Sequence, residues 1–144
     1  MRYLSVPKYR QNLSSTEYTW RVYKLAVRIG EIIANKPKKY KGTYSDKMVS
    51  LSLDALSAVT QANEIFVKTR LDYEVRRSHL LRARGDLWSL LTISDIFLEQ
   101  CKKSPNADKE KLTRDQDEIG DAIDEATKLV NGVIESDNRR YKSI

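Results

Sequence analysis

Apolar residues recur at steps of three and four along four long stretches of this chain, and this period restricts the fold more than any other feature. The first stretch begins with Tyr18 and Val22 and ends with Ile33. The spacing predicts four helices, over residues 15–35, 45–70, 72–103 and 108–138. Glycine and proline are scarce, at five and three residues, so little turn chemistry favours an all-β fold. We therefore expect an all-α protein.

The predicted helices are joined by short connections, which favour antiparallel neighbours. Residues 15–138 are thus expected to form an up-down-up-down four-helix bundle. Residues 1–14 show no sustained period and read as an extended or mobile arm, while residues 139–144 form a basic, frayed tail. Ser14 and Glu17 have the spacing of a capping box, and Asp72 is a plausible cap for the third helix.

Several features inside the predicted helices bear on their packing. Pro37 disfavours helical geometry in the residue before it and ends the first helix. The second helix carries several alanines in its apolar set, which would let neighbouring helices approach closely. Glycine inside a helix lowers stability relative to alanine, and this cost is easier to understand if some of the glycines permit close helix contact. Four glycines fall inside predicted helices: Gly30, Gly85, Gly120 and Gly132.

Positive charge is concentrated in the first third of the sequence. Residues 1–47 hold 11 Lys and Arg against 3 Asp and Glu, whereas residues 105–144 hold 7 against 10. The whole chain has a formal charge of +6. Such a balance favours an acidic partner, which can be a nucleic acid, an anionic membrane or an acidic protein.

The single cysteine and the N-terminal sequence bear on the compartment. Cys101 excludes an intramolecular disulfide and a thiolate metal cluster within one chain. The N-terminal segment has no apolar run of signal-peptide length. The most apolar run, from Leu87 to Leu98, is too short to span a bilayer and contains Asp95. The sequence thus predicts a soluble, cytoplasmic protein that does not enter a membrane.

No pattern indicates a catalytic or metal centre. A di-iron bundle needs Glu-x-x-His motifs, but the residue three before the only histidine, His79, is Arg76. Cys101 lies 22 residues beyond His79 on one predicted helix, about 33 Å away at 1.5 Å per residue, so the two cannot form a dyad. The fourth helix carries dense carboxylates, more plausibly a solvated face or a subunit contact than an active site: Asp117, Glu118, Asp121, Asp124 and Glu125. We therefore expect a non-enzymatic protein without a metal or cofactor.

Basic residues interleaved with tyrosines give the best functional signal. Lysines and arginines neutralise backbone phosphates, and tyrosines such as Tyr40, Tyr44 and Tyr73 can stack on unpaired bases. The candidate nucleic-acid-binding residues lie on the first helix, in the loop after it and on the third helix: Arg21, Lys24 and Arg28; Lys36, Lys38, Lys39, Tyr40 and Lys41; Arg76, Arg77, Arg82 and Arg84. The alternatives are an ordinary charged helical surface, or a surface for a membrane or an acidic protein.

Three segments of the chain resemble a known group of small four-helix-bundle proteins. They are YKLAVRIGEIIANKPKKY (Tyr23–Tyr40), the Ala62-Asn63-Glu64 triplet, and LLRARGDLWSLLTISDIF (Leu80–Phe97). The group comprises the accessory variability determinants of diversity-generating retroelements and the proteins encoded in intervening sequences of bacterial large-subunit ribosomal RNA genes. The resemblance covers roughly residues 15–138.

The resemblance implies a homopentameric barrel of bundles with a basic surface. It also implies a non-catalytic partner of a retroelement reverse transcriptase, which binds the template RNA and cDNA and supports mutagenic retrohoming. The acidic first half of the fourth helix departs from a uniformly basic pattern and is instead expected to contact a subunit or the transcriptase. The alternative function is a structural or interaction protein of the ribosomal intervening-sequence type, without a reverse-transcriptase role.

Overall fold

The computed structural model describes residues 5–144, except for the side chain of Lys39. This part of the chain contains helices and no strand, which confirms the predicted all-α class. The helices are α1 (Val6–Ser14), α2 (Glu17–Ala34), a short 3-10 helix (Lys38–Tyr40), α3 (Thr43–Glu64), α4 (Arg70–Lys102) and α5 (Lys109–Arg140).

The core lies between α2, α3, α4 and α5. Helix α3 packs against both α2 and α4, and α5 packs against both α4 and α2, so these four helices form a helical bundle around one core. The predicted apolar stripes supply this core, as Ile29, Met48, Leu87 and Ile123 show with exposures of 0–1%. Each fully buried aliphatic side chain of this size contributes about 1.5–3 kcal/mol to folding.

The alanines of α3 are buried, and α3 makes an extensive contact with α4. Ala55, Ala58 and Ala62 are all 0% exposed, and the contact of α3 with α4 is the most extensive in the bundle. These alanines lie in the core, and their predicted role in a close approach of helices stays a prediction. A Cβ on Gly30, Gly85 or Gly132 would meet nothing within 4 Å, so no contact within the described chain requires these glycines, whereas a Cβ on Gly120 would lie 4.0 Å from Leu91 Cδ1.

The N-terminal segment differs from the prediction. Residues 6–14 form helix α1 rather than an extended arm, with Pro7 in the first turn, where its missing N–H costs no hydrogen bond. Leu13, which is 4% exposed, anchors α1 against α2. The predicted Ser14–Glu17 capping box does not form, because the N-cap of α2 is Thr16 and its side chain makes no capping bond. Residues 1–4 of the predicted arm lie outside the described residues.

The connection between α3 and α4 also corrects the prediction. Helix α3 ends at Glu64, and the predicted core residue Phe66 lies in the connection with 80% exposure. Helix α4 is capped by Thr69 rather than by Asp72, although Asp72 completes a capping box with it. The predicted stripe of α4 is otherwise confirmed, except that Leu91 is 40% exposed.

Polar contacts connect the ends of neighbouring helices. The Tyr18 hydroxyl at the start of α2 donates to Asn63 Oδ1 at the end of α3. Arg76, near the start of α4, donates to the backbone carbonyl of Ala62 on α3 and to Asp137 near the end of α5. These contacts identify which helix ends lie side by side.

Candidate nucleic-acid interface

The predicted basic stripe of α2 faces the acidic half of α5. Arg21 Nη1 lies 2.7 Å from Glu125 Oε2, and the guanidinium of Arg28 binds both carboxylate oxygens of Glu118. The hydrogen bonds that Arg28 donates to the Glu118 carboxylate raise the pKa of Arg28 above its ordinary value. Both arginines are thus neutralised within the chain, so the stripe is less available to a polyanion than its sequence suggests.

These pairs also bear on the expected role of the acidic face of α5. Glu118 and Glu125 meet arginines of the same chain, and the expected contact of the acidic face with a subunit or the transcriptase stays a prediction. Asp117, Asp121 and Asp124 are exposed, and Asp124 pairs locally with Lys128 at 3.0 Å. The acidic face is thus divided between a contact with α2 and a solvated surface.

Lys24 lies beside the only stacked aromatic pair among the described residues. The rings of Trp20 and Tyr23 stack with centroids 5.1 Å apart, and Lys24 Nζ lies 5.9 Å from the Trp20 ring. Since Lys24 is exposed, it keeps its charge at the surface. This group combines a cation with aromatic faces, although it stands apart from the loop lysines.

Lys36 is a correction to the predicted surface. Its side chain is 5% exposed, and its Nζ lies 2.6 Å from Oδ2 of Asp115, which is also 5% exposed. The N–H donor and the carboxylate satisfy each other in the interior, where an unpaired charge would be costly. Lys36 therefore belongs to the core and connects the end of α2 to the first turns of α5.

The other described loop lysines lie at the surface, as predicted. Lys38 and Lys41 are exposed, and Lys41 Nζ donates to the backbone carbonyl of Ala34 at 3.4 Å. Tyr40 is half-buried and packs against the core. The side chain of Lys39 lies outside the described residues. Lys38 and Lys41 are thus the described loop cations that face solvent.

On α4, the four predicted arginines have different environments. Arg76 is only 16% exposed and binds Asp137 at 2.6 Å. Burial, the largest single influence, lowers the pKa of Arg76, but the hydrogen bond to Asp137 and the Coulombic interactions with Tyr18, Asp137 and Tyr141 together raise it above its ordinary value. Arg77 is half-buried, and its Nη1 has no hydrogen-bond partner among the described residues. Arg76 therefore stabilises the fold, whereas Arg77 is partly available to an anionic ligand.

The two later arginines of α4 lie on its surface. Arg82 is exposed and donates to Gln61 at 3.3 Å, with its Nη2 2.8 Å from His79 Nδ1. Arg84 donates to Asn131 at 2.9 Å and lies over the Trp88 ring at 5.1 Å. Neither is paired with a carboxylate in the described part of the chain, so both retain a net positive charge.

The structure adds lysines that the sequence prediction missed. The 3-10 helix packs on α4, and the Lys36–Asp115 pair joins the same loop to α5, so the α2–α3 and α4–α5 connections lie at one end of the bundle. We call the exposed lysines of these connections and of the first turn of α5 the basic end: Lys38, Lys41, Lys103, Lys109 and Lys111. The sequence did indicate this surface, since Pro37 and Pro105 each lie beside lysines in a connection between two predicted helices.

A cavity of about 380 Å³ lies between the two connections, and Lys111 of the basic end lines it. We call it the end cavity, and residues of both connections line it, including Asn35, Pro37, Tyr40, Cys101, Asn106 and Lys111. Burial raises the pKa of the Cys101 thiol, although the nearby Lys36 charge lowers it in part. A thiol in this environment is a poor nucleophile at neutral pH.

Other kinds of site find little support within residues 5–144. No group of three or more His, Cys, Asp or Glu side chains in this range is placed to hold a metal ion. No helix of the described chain is both long enough and apolar enough to cross a membrane.

Comparison of the chain with protein-family models, with curated proteins and with solved structures finds no match.

Proposed function

We propose that this protein is a non-catalytic nucleic-acid-binding bundle that serves a retroelement reverse transcriptase as an accessory variability determinant. The observation that carries the nucleic-acid part is the basic end, where five exposed lysines lie in or directly beside the two connections that line one cavity. None of Lys38, Lys103 and Lys109 has a carboxylate within 4 Å in the described structure. Lysines of this kind release counterions when they bind phosphates.

The reverse-transcriptase part of the proposal rests on the resemblance of Tyr23–Tyr40 and Leu80–Phe97 to the accessory proteins. Within it, α2–α5 form an up-down-up-down bundle. The pairs Tyr18–Asn63 and Arg76–Asp137 support this order, because each joins the start of one helix to the end of its neighbour. Five such bundles would assemble into the barrel that the resemblance implies.

RNA binding is tested by removing the lysines of the basic end. We expect Lys38→Gln, Lys41→Gln, Lys103→Gln and Lys109→Gln together to weaken binding of a single-stranded RNA. The slope of log affinity against log salt should fall by roughly 0.7 for each lost phosphate contact. Fluorescence anisotropy over a salt series measures both quantities.

The matched control removes cations that are already paired. Arg21→Gln with Arg28→Gln eliminates two charges of the predicted stripe, but Glu125 and Glu118 neutralise these charges in the native chain. We expect this variant to bind RNA with nearly the native salt slope. Equal losses in both variants would show that no particular surface binds RNA, and unchanged affinity in the lysine variant would remove the basic end from the function.

The transcriptase partnership has its own test. The chain should co-purify with the reverse transcriptase of a diversity-generating retroelement and should be required for cDNA synthesis on its template RNA. If cDNA forms equally well without the chain, the accessory role is wrong even where RNA binding holds.

A second candidate, from another class, is a structural or interaction protein of the ribosomal intervening-sequence type. The intramolecular pairing of Arg21, Arg28, Lys36 and Arg76 favours it, because these cations serve the fold. It predicts an assembly that ignores RNA and DNA at physiological salt, so the same titration separates the two candidates.

A further inference from the structure

The end cavity has an apolar floor and a polar rim. Cys101 and Leu112 are 3% and 6% exposed and form its deep side, whereas Asn35, Asn106 and Lys111 are exposed and form its mouth. Pro37 and Tyr40 add two flat surfaces to the wall. A volume of about 380 Å³ falls in the range of small-molecule sites. The cavity is therefore large enough and open enough to admit a planar organic group.

The rim offers hydrogen bonds that the protein itself does not use. The side-chain amides of Asn35 and Asn106 make no hydrogen bond to any other described residue. An amide carries two donors and an acceptor, so it can bind groups of either kind. The Watson–Crick edge of a nucleobase presents such a mixture of donors and acceptors. A purely aliphatic guest would leave these amides without partners.

The lysines near the cavity are suited to a phosphate, and Lys111 is the one of the basic end that lines it. Lys38, Lys41, Lys103 and Lys109 each follow or precede a lining residue directly, and all four are exposed. Two acidic residues of the same region partly offset this positive charge. Asp108 caps α5, where its carboxylate accepts from the Lys111 N–H, and Glu110 is exposed. The floor carries no net charge, since Lys36 and Asp115 neutralise each other. An uncharged interior inside a positive rim fits a neutral ring attached to an anionic backbone.

We propose that the end cavity holds one unstacked base of a single-stranded nucleic acid, with the neighbouring phosphates on the lysines of the basic end. This inference rests on the proposed nucleic-acid binding and specifies that its ligand has unpaired bases. Base stacking on aromatic side chains contributes about 1–3 kcal/mol per base in single-strand binding sites. Double-stranded RNA or DNA, whose bases are stacked and paired, should bind the same surface more weakly.

Cys101 provides a direct probe of the cavity, because it lines the floor and is the only cysteine in the chain. We would alkylate the full-length protein with iodoacetamide at mildly alkaline pH and measure the rate of modification by mass spectrometry. Only protein with an empty cavity should react. At a ligand concentration of about ten times Kd, a single-stranded RNA should therefore slow alkylation by roughly tenfold.

The control ligand is an abasic oligonucleotide of equal length, which has the same phosphates and no bases. We expect it to bind the lysines, as measured by anisotropy, and to leave the alkylation rate unchanged at saturation. If both ligands bind and give equal rates, with or without protection, the cavity inference is overturned and nucleic-acid binding stands. If neither ligand binds, the proposed function fails and the inference fails with it.

A protein variant tests the same point without changing the ligand. Asn106→Trp places a large ring at the exposed rim and should block the cavity while preserving the core. We expect the variant to retain the native salt slope for RNA and to lose the difference in affinity between RNA and the abasic strand. Circular dichroism confirms that the variant is folded, and an unchanged difference in affinity would overturn the inference.

Discussion

Lys36 and Asp115 form an ion pair in which both side chains are 5% exposed. Lys111 adds a second cation, 3.8 Å from the other carboxylate oxygen of Asp115. Removing two charges from water is costly, and their mutual attraction offsets this cost only when both partners are present. The stability of the fold therefore depends on the presence of both members of the pair.

This dependence predicts the effect of single substitutions. Lys36→Ala leaves a buried carboxylate without its main partner, and we expect it to lower the free energy of unfolding by about 3–5 kcal/mol. The double variant Lys36→Met, Asp115→Leu removes both charges and should recover much of this loss. Urea unfolding followed by circular dichroism measures each value.

The matched control is Lys38→Ala, two residues further along the chain. Lys38 is exposed and has no described ion pair, so its removal should change stability by less than about 0.5 kcal/mol. If Lys36→Ala and Lys38→Ala have equal effects, Lys36 is not a buried partner of Asp115.

At the scale of elements, the start of α4 depends on a reciprocal capping box. Thr69 Oγ1 accepts from the Asp72 N–H, and the Asp72 carboxylate accepts from the N–H groups of Thr69 and Lys68 at 3.0 Å. These hydrogen bonds from Lys68 and Thr69 hold the pKa of Asp72 below its ordinary value of 3.8. The carboxylate form is therefore favoured by folding.

The lowered pKa gives a definite pH dependence. Because the folded state favours the ionised form, Asp72 contributes stability above about pH 3.8 and loses this contribution as the pH falls further. The difference in stability between the native chain and Asp72→Asn should thus shrink in acid. Thr69→Ala should cost about 1 kcal/mol and show a weaker form of the same trend, because the Thr69 hydroxyl also helps to lower the pKa of Asp72. A difference that stays constant in acid would contradict the assignment.

The helical glycines give a second prediction for the elements. A Cβ at Gly85 meets nothing within 4 Å, so Gly85→Ala should stabilise α4 by about 0.5–1 kcal/mol. Gly42 also has open space, but its φ of 150° disfavours a side chain, so Gly42→Ala should destabilise the protein. Thermal unfolding measures both, and a loss of stability in Gly85→Ala would indicate a contact outside the single chain.

For the whole molecule, the proposed assembly needs an apolar surface outside the core. Val49 and Leu53 lie one turn apart on α3 and are 38% and 53% exposed. Such side chains on one helix face are suited to burial against another subunit. We expect sedimentation to give five times the chain mass of 16.7 kDa.

A charge on this face should dissociate the assembly. Leu53→Glu places a carboxylate in the proposed contact and should yield folded monomers, whereas Ser89→Glu, on the exposed side of α4, should leave the mass unchanged. A native chain that sediments as a monomer at micromolar concentration would contradict the oligomer directly.

The sequence alone determined the helical class and most of the core. Apolar spacing is a local property, since a side chain's position around a helix depends on residues within two turns of it. Ile29, Leu87 and Ile123 were therefore predictable as core residues, and all are buried. Helix ends were less predictable, because Thr16 and Thr69 compete with nearby Ser14 and Asp72 as caps. The helix over residues 6–14 was missed because its short stripe gains stability mainly by packing on α2.

Only the tertiary structure decided which cations are available to a ligand. Arg21 and Glu125 are 104 residues apart in the chain, and Lys36 and Asp115 are 79 apart, so no local pattern connects them. Charges interact through space, and the packing of α2 against α5 brings these partners together. The same packing joins the two lysine-bearing connections at one end of the bundle and leaves the end cavity between them.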